Sequence, residues 1–570
     1  MRRLIRLLLL TALFLRAPFV PVAAFDLATA SLEPLPKAHL EELRAKAVKG
    51  DAEAQRNLGY LYATGNGMPK DPAEAVKWYR MAADQGNAAA QSNLGVMYAN
   101  GNGVAKDQME AVKWFRKAAE QGYALAEFNL GVMYDKGEGM PKDSAEAVRW
   151  YRMAADQGNA AAQSNLGVMY DTGEGGVKDS AEAVRWYHKA AEQGNLAAEF
   201  NLGVMYDKGE DMPKDSAEAV RWYRKAAEQG NLAAESNLGV MYDRGDGVPK
   251  DSAEAVKWSR KAAEQGYADA QYNLGVMFKH GQGVQKDPVE AAKWYRKAAD
   301  QGNTRAFSNL GVLYSSGDGV PKDLTEAAKW FRKAAEQGDD AAQYNLGVMY
   351  AIGDGVPKDS AEAAKWYRKA AEQGHTEAQF SLGMTYASGD GVPKDSAEAV
   401  RWYRKAADKG FLAAQYHLGL IYSIGTSAPK DTVVAAKWFR KAAERGHINA
   451  QFCLGVMYAT GDGVPKDNAE AVSWYRKAAE QGNPNAQHNL GMMYLEGVGV
   501  QKDEIEALAW YNVCAASGID ITVTNRAALE RRLGREAALA AQQRAKEILN
   551  EIEAAKAKKV LAKPRPTRLR

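Results

Sequence analysis

Apolar and small residues recur every 36 positions along this chain, and the pattern within one period predicts two helices. The first period runs from Asp51 to Gly86. In it, Ala54, Leu58 and Leu61 fall at spacings i, i+4 and i+7, which predicts a first amphipathic helix. Gly59 lies inside that helix, where glycine costs about 1 kcal/mol relative to alanine. Because this glycine recurs in every period, we expect two backbones to approach too closely there for a side chain.

A second helix is predicted to begin after Asp71. Asp71 suits the N-cap, Pro72 suits the first helical position, and Glu74 three residues after the cap completes a capping box. Gly86 ends the helix. Its apolar face consists of residues that repeat with the same period: Ala75, Trp78, Tyr79, Ala82 and Ala83.

The period holds without an insertion over thirteen copies, from residue 51 to residue 518. All thirteen tryptophans are 36 residues apart, from Trp78 to Trp510. A regular period of this length is typical of helical solenoids, in which each unit buries its apolar face only against its neighbours. We therefore predict an all-α fold, an α-solenoid of thirteen 36-residue helix-hairpin repeats with helical caps at both ends.

One stretch from Ala160 to Gly194 reads A-A-A-Q-S-N-L-G-V-M-Y-D-T-G-E-G-G-V-K-D-S-A-E-A-V-R-W-Y-H-K-A-A-E-Q-G. This motif resembles the Sel-1-like repeat, a relative of the tetratricopeptide repeat, and the resemblance extends over all thirteen units. It implies a right-handed superhelix of helix hairpins. It also implies use as an adaptor or scaffold for protein complexes, in bacteria often in the periplasm or on host-facing proteins.

The first 24 residues are similar to a secretory signal peptide. Arg2 and Arg3 precede an apolar stretch from Leu4 to Leu15, and residues 22–24 are small enough for cleavage before Phe25. We expect a periplasmic or secreted protein with no integral membrane span in the mature chain. An uncleaved membrane anchor is the alternative, although the apolar stretch is short for a span.

The other segments outside the repeats are assigned by their composition. Residues 25–50 are predicted to contain a linker and a capping helix, with Glu42 in the place of the tryptophan. Residues 519–552 read as Ala-rich capping helices. The segment 553–570 is predicted to be a disordered tail, with seven basic residues and no acid after Glu553. A weak contact of this tail with an anionic surface is one interpretation, and a solvated tail is the other.

Charge and residue chemistry exclude several classes of function. The chain has 74 Lys+Arg against 71 Asp+Glu, and removal of the first 24 residues leaves 70 basic against 71 acidic residues. This balance gives no reason to expect a nucleic-acid partner. Cys453 and Cys514 are single substitutions inside repeats and do not predict a disulfide framework. The seven histidines have no metal-binding spacing, and the loops before each Lys-Asp pair fit neither a phosphate nor a calcium loop. We expect no catalytic residue, metal or cofactor.

The candidate binding residues are those that differ among the repeats, because packing does not dictate them. Positions that recur at the 36-residue period form a column, and the Ser92 column becomes aromatic in four consecutive repeats: Tyr344, Phe380, Tyr416 and Phe452. His417 interrupts the Asn column in the same region. In the tetratricopeptide relative, the matching positions line a concave groove that holds peptides. A second candidate is an acidic strip: Asp135, Asp171, Asp207 and Asp243. The alternative is that the aromatic rings pack between adjacent first helices and the acidic side chains are solvated.

The sequence thus predicts an exported, non-enzymatic scaffold that binds protein or peptide partners along the concave face of the solenoid. A cell-wall protein that binds or hydrolyses β-lactams or peptidoglycan is the alternative. That alternative rests on cysteine-rich relatives with a Cys pair in each unit, which this chain lacks.

Overall fold

The structure is a computed structural model, and it describes residues 37–176, 178–209, 212–516 and 523–561. The predicted signal peptide lies outside these residues. In the described part, all regular secondary structure is α-helical, which confirms the predicted fold class. None of the described helices is long and apolar enough to cross a membrane.

The helices fall into two compact units, of which the first extends to Met277 and includes residues 281–286. The second unit contains Phe278–His280 and begins again at Asp287. The helices that lie in or begin in the first unit are α1 Lys37–Val48, α2 Ala52–Thr64, α3 Pro72–Asp84, α4 Ala88–Asn100, α5 Gln108–Ala119, α6 Ala124–Lys136, α7 Ser144–Asp156, α8 Ala160–Thr172, α9 Ser180–Glu192, α10 Leu196–Lys208, α11 Ser216–Glu228, α12 Leu232–Arg244, α13 Ser252–Glu264 and α14 Ala268–His280. Those of the second unit are α15 Pro288–Asp300, α16 Thr304–Ser316, α17 Leu324–Glu336, α18 Asp340–Ile352, α19 Ser360–Gln373, α20 Thr376–Ser388, α21 Ser396–Asp408, α22 Leu412–Ile424, α23 Thr432–Glu444, α24 Ile448–Thr460, α25 Asn468–Ala479, α26 Pro484–Glu496, α27 Glu504–Ala516 and α28 Val523–Leu561.

Each 36-residue repeat contains a first and a second helix, and capping residues set their ends. The first helix of repeat 1 ends at Gly65, which has a left-handed φ of 79° that favours glycine. The Asp71 side chain accepts a hydrogen bond from the Glu74 N–H at 3.0 Å and begins the second helix. The other bond of the predicted capping box, from the Asp71 N–H to the Glu74 side chain, is not formed, so this part of the prediction is wrong. The Asp71 N–H donates to the Tyr62 carbonyl instead (2.9 Å), and the Glu74 carboxylate accepts from Lys77 Nζ (2.7 Å).

The glycine inside each first helix makes room for an aromatic ring of the second helix. A Cβ built on Gly59 would lie 2.7 Å from Cδ1 of Tyr79, and Gly347 has the same relation to Tyr367. The close approach that the sequence predicts is therefore real, but the partner is a side chain rather than a second backbone. The residue pattern of the first helix does not show which group contacts the glycine, because the aromatic residue belongs to the second helix, 20 positions later in the chain.

Two sets of side-chain hydrogen bonds hold the repeats together. Gln91 Nε2 donates to the Ala83 carbonyl of the preceding repeat (3.0 Å), and its Oε1 accepts from Gln121 Nε2 (2.7 Å). Arg116 donates to the Tyr134 hydroxyl of the next repeat at 2.8 Å. The same bonds recur in many of the other repeats. Each links a repeat only to itself or to its neighbour, as expected for a solenoid.

The chain also forms helices on either side of the repeats. Helix α1 precedes repeat 1 and buries Ala47 against it. Helix α28 bends at Gly534, whose φ of 80° and ψ of 176° are not helical. Its buried side chains, among them Ala541 and Ile548, pack on repeat 13. The prediction that disorder begins at Glu553 is wrong, because α28 continues to Leu561. Residues 554–561 consist mainly of Ala and Lys, which are good helix formers, and they precede Pro564. Residues 562–570 lie outside the described part of the chain.

Candidate partner-binding face

The four predicted aromatic residues lie on the first helices of repeats 9 to 12, and all four are partly exposed. Each ring packs against an aromatic ring of the second helix of its own repeat. The ring pairs and centroid distances are Tyr344–Tyr367 5.9 Å, Phe380–Tyr403 5.6 Å, Tyr416–Phe439 5.9 Å and Phe452–Tyr475 6.0 Å. These rings therefore have one side in the core and another that faces away from it.

Three of the four rings also contact the next repeat. Tyr344 stacks on the His375 ring at 4.9 Å, and Tyr416 stacks on the His447 ring at 4.7 Å. Phe380 contacts Phe411 at 5.2 Å. The rings thus pack between adjacent repeats, as in the alternative interpretation, and remain partly exposed, as the binding hypothesis requires. In repeats 2 to 6 the same column is buried: Ser92, Phe128, Ser164, Phe200 and Ser236.

An apolar row on the same helices was not among the predicted site residues. We call it the exposed apolar row; it consists of Val312, Val348, Met384, Leu420, Val456 and Met492. Met384 is 43% exposed, Val312 is 38% exposed and Met492 is 36% exposed, whereas Val348, Leu420 and Val456 are half-buried. The equivalent Val96, Val132, Val168 and Val204 are buried. The signal in the sequence was the change from the valine of repeats 2 to 9 to larger side chains at Met384, Leu420 and Met492.

His417 lies among three aromatic rings in the middle of the aromatic run. Its ring is 5.3 Å from Phe380, 5.6 Å from Tyr403 and 5.8 Å from Tyr416. Burial lowers the pKa of His417, and burial together with the nearby His417 lowers the pKa of His447. Both imidazoles are therefore neutral at pH 7, and this surface presents no charge at either position.

Two other histidines of this region act as helix N-caps. His375 Nδ1 accepts a hydrogen bond from the Ala378 N–H at 3.3 Å, and His447 Nδ1 accepts one from the Ala450 N–H at 3.2 Å. In most repeats the cap is Asn or Asp. An imidazole can accept at Nδ1 only when that nitrogen carries no proton, so these caps require neutral histidine.

The predicted acidic strip is not evenly exposed. Asp135 and Asp243 are buried, whereas Asp171 and Asp207 are partly exposed. Asp207 accepts from Lys214 Nζ at 3.2 Å. An acidic surface on these repeats would therefore consist of Asp171 and Asp207, and the four residues do not form one continuous strip.

In several repeats a tyrosine of the second helix lies across the repeat junction from an asparagine of the next first helix, 14 residues later in the chain. Side-chain hydrogen bonds join Tyr223 to Asn237 and Tyr475 to Asn489, 14 residues apart in both cases. Where the tyrosine is Phe115, both amide atoms of Asn129 lack a partner. Where the tyrosine is Ser259, the Oδ1 atom of Asn273 lacks one.

The pair is also incomplete between repeats 9 and 10, where Tyr367 faces Ser381 instead of asparagine. A cavity of about 250 Å³ lies at this junction. Its wall includes Tyr367, Ser381 and Met384 of the exposed apolar row, together with Thr385. Thr385 stands in a column that is Met, Leu or Ile in every other repeat. Two replacements by smaller residues therefore coincide with an open space beside the aromatic run.

Among the residues that the structure describes, no group of three or more His, Cys, Asp or Glu side chains is placed to hold a metal ion. Cys453 and Cys514 are not joined in a disulfide, and the Cys514 thiol donates a hydrogen bond to the Pro484 carbonyl at 3.4 Å. Burial raises the pKa of Cys453 to about 11, so its thiol is protonated at neutral pH.

Comparison with known proteins identifies the repeat. The Sel1 repeat model matches thirteen segments: 52–87, 88–123, 124–159, 160–195, 196–231, 232–267, 268–303, 308–339, 340–375, 376–411, 412–447, 448–483 and 484–518. A 55-residue segment is 46% identical to the secretory immunoglobulin A-binding protein EsiB of Escherichia coli. That segment is 10% of this chain and only 11% of the relative's length.

Two solved structures are similar to the chain. One is c5321, a protective antigen of uropathogenic Escherichia coli strains with an SLR fold. It is 34% identical with a TM-score of 0.43, and the match covers 95% of this chain and 99% of that one. The other is a Sel1 repeat protein from Oxalobacter formigenes, 39% identical with a TM-score of 0.44, over 54% of this chain and 89% of that one. Since the repeat model matches most of its length, the chain belongs to the Sel1 repeat family.

Proposed function

We propose that this chain is an exported, non-enzymatic scaffold that binds protein or peptide partners on the first helices of its second unit. The observation that carries the proposal is the exposed apolar row beside the aromatic run in repeats 9 to 12, in which Met384 is exposed and Val348, Leu420 and Val456 are partly exposed. Apolar side chains in a contiguous exposed patch mark interaction sites more often than isolated ones do.

The chemistry of this face favours an apolar contact. In repeats 9 to 12, the aromatic column, the next column and the exposed apolar row together contain no acidic or basic residue apart from His417, which is neutral. Covering such side chains contributes about 25 cal/mol for each Å² of apolar surface removed from water. Aromatic residues are also enriched among the side chains that dominate binding energy at interfaces.

A relative supports a protein as the partner. EsiB is described as a secretory immunoglobulin A-binding protein, and it shares a segment of 55 residues with this chain. Export is proposed from the first 24 residues, which have the basic start and the apolar stretch of a signal peptide. Mass measurement of the protein recovered from the cell envelope tests this: cleavage before Phe25 is expected, and an intact N-terminus would contradict it.

Binding is tested by placing a charge on the exposed apolar row. A peptide library displayed on phage is selected against residues 25–570, and the affinities of the selected peptides are measured by fluorescence anisotropy. Met384→Glu and Leu420→Glu are expected to weaken these peptides at least tenfold, because a carboxylate would have to lose water at the contact. Val433→Glu is the matched control, since Val433 is 53% exposed and lies in the first turn of a second helix.

Circular dichroism and thermal unfolding check that all three variants fold like the parent. Equal affinity in Met384→Glu, Leu420→Glu and the parent would show that the selected peptides bind elsewhere. Equal weakening in Val433→Glu would show a general effect of negative charge. Either result would contradict the proposed binding face.

A further inference from the structure

Two histidines contact the same aromatic ring of the proposed binding face. The rings of His417 and His447 lie 5.8 Å and 4.7 Å from the ring of Tyr416, which is partly exposed. His417 also lies 5.3 Å from Phe380, the preceding member of the aromatic run. A change of charge at either histidine therefore acts directly on rings that are proposed to bind the partner.

His447 is fixed in place by a bond that requires an unprotonated nitrogen. Its Nδ1 accepts a hydrogen bond from the Ala450 N–H at 3.2 Å, while its ring stacks on Tyr416 with an interplanar angle of 25°. Protonation of Nδ1 would set one N–H donor against another. The bond that holds the imidazole against Tyr416 would then be lost.

The surroundings of both histidines disfavour a positive charge. The neighbours of His417 are the rings of Phe380, Tyr403 and Tyr416, and burial raises the pKa of Tyr403 to about 12, so its phenol is neutral. Burial lowers the pKa of His417. Burial and a charge on His417 both lower the pKa of His447. Protonating one histidine thus makes it harder to protonate the other.

The remaining groups around His447 supply no compensating negative charge. Cys453 on the same helix has a protonated thiol, since burial raises its pKa to about 11. Arg445 is itself positive, and its guanidinium donates to the Gly410 carbonyl. Glu444 is exposed. Within the described part of the chain, no carboxylate is paired with either His417 or His447.

His375 has a different environment, although it also caps a helix and stacks on a tyrosine of the run. The Glu377 carboxylate lies 3.5 Å from its Nδ1, and the Asp339 carboxylate interacts with it electrostatically. A nearby carboxylate favours the charged form of an imidazole. Sensitivity to acid is therefore expected from His417 and His447 rather than from His375.

We propose that the binding face releases its partner in acid, because His417 and His447 must both be neutral for the partner to bind. The proposal rests on the proposed function for the partner itself. A peptide on Tyr416 and the exposed apolar row would remove more water from both imidazoles, so the bound state disfavours their charged forms more than the free state does. Affinity is then complete above about pH 6.5 and falls as the pH drops below the pKa values of the free chain.

The test uses peptides whose own charge does not change over the pH range. They are selected from the phage library at pH 7.5, have capped ends and contain no Asp, Glu, His or Cys. Only peptides that Leu420→Glu weakens are carried forward, and their affinities are measured by fluorescence anisotropy at pH 7.5 and 5.0. The parent is expected to bind them about fivefold or more weakly at pH 5.0, since each histidine that must lose a proton contributes up to about tenfold per pH unit.

The decisive variant combines His417→Asn with His447→Asn. Asparagine is the commonest residue in both columns and is a good N-cap, so the variant is expected to fold like the parent. It should bind the peptides equally well at both pH values. His188→Arg is the matched control, because burial also lowers the pKa of His188, which lies in the first unit, and arginine is common in its column. This control should keep the pH dependence of the parent.

Three results would overturn the proposal: equal affinity of the parent at both pH values, an undiminished pH dependence in the double variant, or a loss of it in His188→Arg. Circular dichroism at pH 5.0 checks the fold, and a loss of helix that matched the loss of binding would show unfolding instead of release. The two proposals fail separately. Peptides that respond to Leu420→Glu but not to pH refute the acid release alone. If no selected peptide responds to Leu420→Glu, the binding face is refuted, and its release in acid with it.

Discussion

Replacing Ser259 with tyrosine is expected to stabilise repeat 6 by about 2 kcal/mol. The equivalent residue is Tyr or Phe in the other twelve repeats, and its ring lies on the glycine of the first helix. Ser259 is fully buried and its hydroxyl has no partner. The new ring would occupy space beside Gly239, and the new hydroxyl would be available to the unpaired Oδ1 of Asn273.

The size of this stabilisation depends on whether the two helices of repeat 6 lie closer together around Ser259 than the helices of a repeat with tyrosine do. A Cβ built on Gly239 would lie 3.1 Å from the Ala255 carbonyl oxygen, and one built on Gly347 would lie 3.3 Å from the Ala363 carbonyl oxygen. The helices of repeat 6 are therefore spaced almost as in a repeat with tyrosine. Losing a large buried side chain costs about 3–5 kcal/mol, and a net hydrogen bond contributes about 1 kcal/mol. With the low end of the side-chain range and about 2 kcal/mol lost to overpacking, from a range of about 1–3 kcal/mol, the gain is about 2 kcal/mol.

The assay is native-state hydrogen exchange with mass spectrometry on peptides from residues 232–264. A local measurement is needed because a long array of repeats does not unfold in one step. A gain of about 2 kcal/mol should slow exchange through local opening by roughly thirtyfold. Ser259→Phe is the matched control, since it adds the ring without the hydroxyl. Unchanged or faster exchange in both variants would refute the reasoning and show that the junction has adapted to serine.

Three further results are expected from the same structure. Gly347→Ala should destabilise repeat 9 by about 1–3 kcal/mol, seen by hydrogen exchange, because its Cβ would lie 2.7 Å from the Tyr367 ring. Asp431→Ala should cost about 1 kcal/mol in the second helix of repeat 11, since the side chain caps it, and an unchanged exchange rate there would contradict this. His447 has a lowered pKa and caps through a neutral nitrogen bonded to Ala450, so the unfolded state takes up the proton first. Its stabilising contribution is complete above about pH 6.5 and is lost as the pH falls below that value, so His447→Asn should make the melting temperature less sensitive to acid.

Much of the fold could be predicted from the sequence because its determinants are local. The spacing of Leu58 and its neighbours predicted the first helix, and Asp71 with Pro72 predicted the start of the second. The predicted role of Glu74 failed because the Tyr62 carbonyl, which belongs to the preceding helix, takes the cap N–H. The sequence pattern of one helix does not show that an acceptor from another helix is available to the same N–H.

The candidate site was predicted less well, for a related reason. The change from serine to aromatic residues at Tyr344 and Phe380 indicated the region, but not that the rings are shared between core and surface. The cavity depends on Tyr367 and Ser381, which are in different repeats and each unremarkable alone. Only the three-dimensional structure shows that the two residues line one open space. Asp243 was likewise predicted to belong to an exposed acidic strip because of its position in the repeat, but its side chain is buried.

The position of the cavity at a repeat junction has a consequence for how such a chain can evolve. Repeat arrays change length when whole copies are gained or lost, and every helix hairpin here would survive such an event with its internal hydrogen bonds intact. The cavity would not, because one wall belongs to repeat 9 and the other to repeat 10. Deleting repeat 10 would place Tyr367 opposite His417, and inserting a common copy would give it an asparagine again. The cavity is a property of the boundary between two particular repeats. Recombination that changes which repeats are adjacent can therefore create or remove the cavity without changing any codon within a repeat.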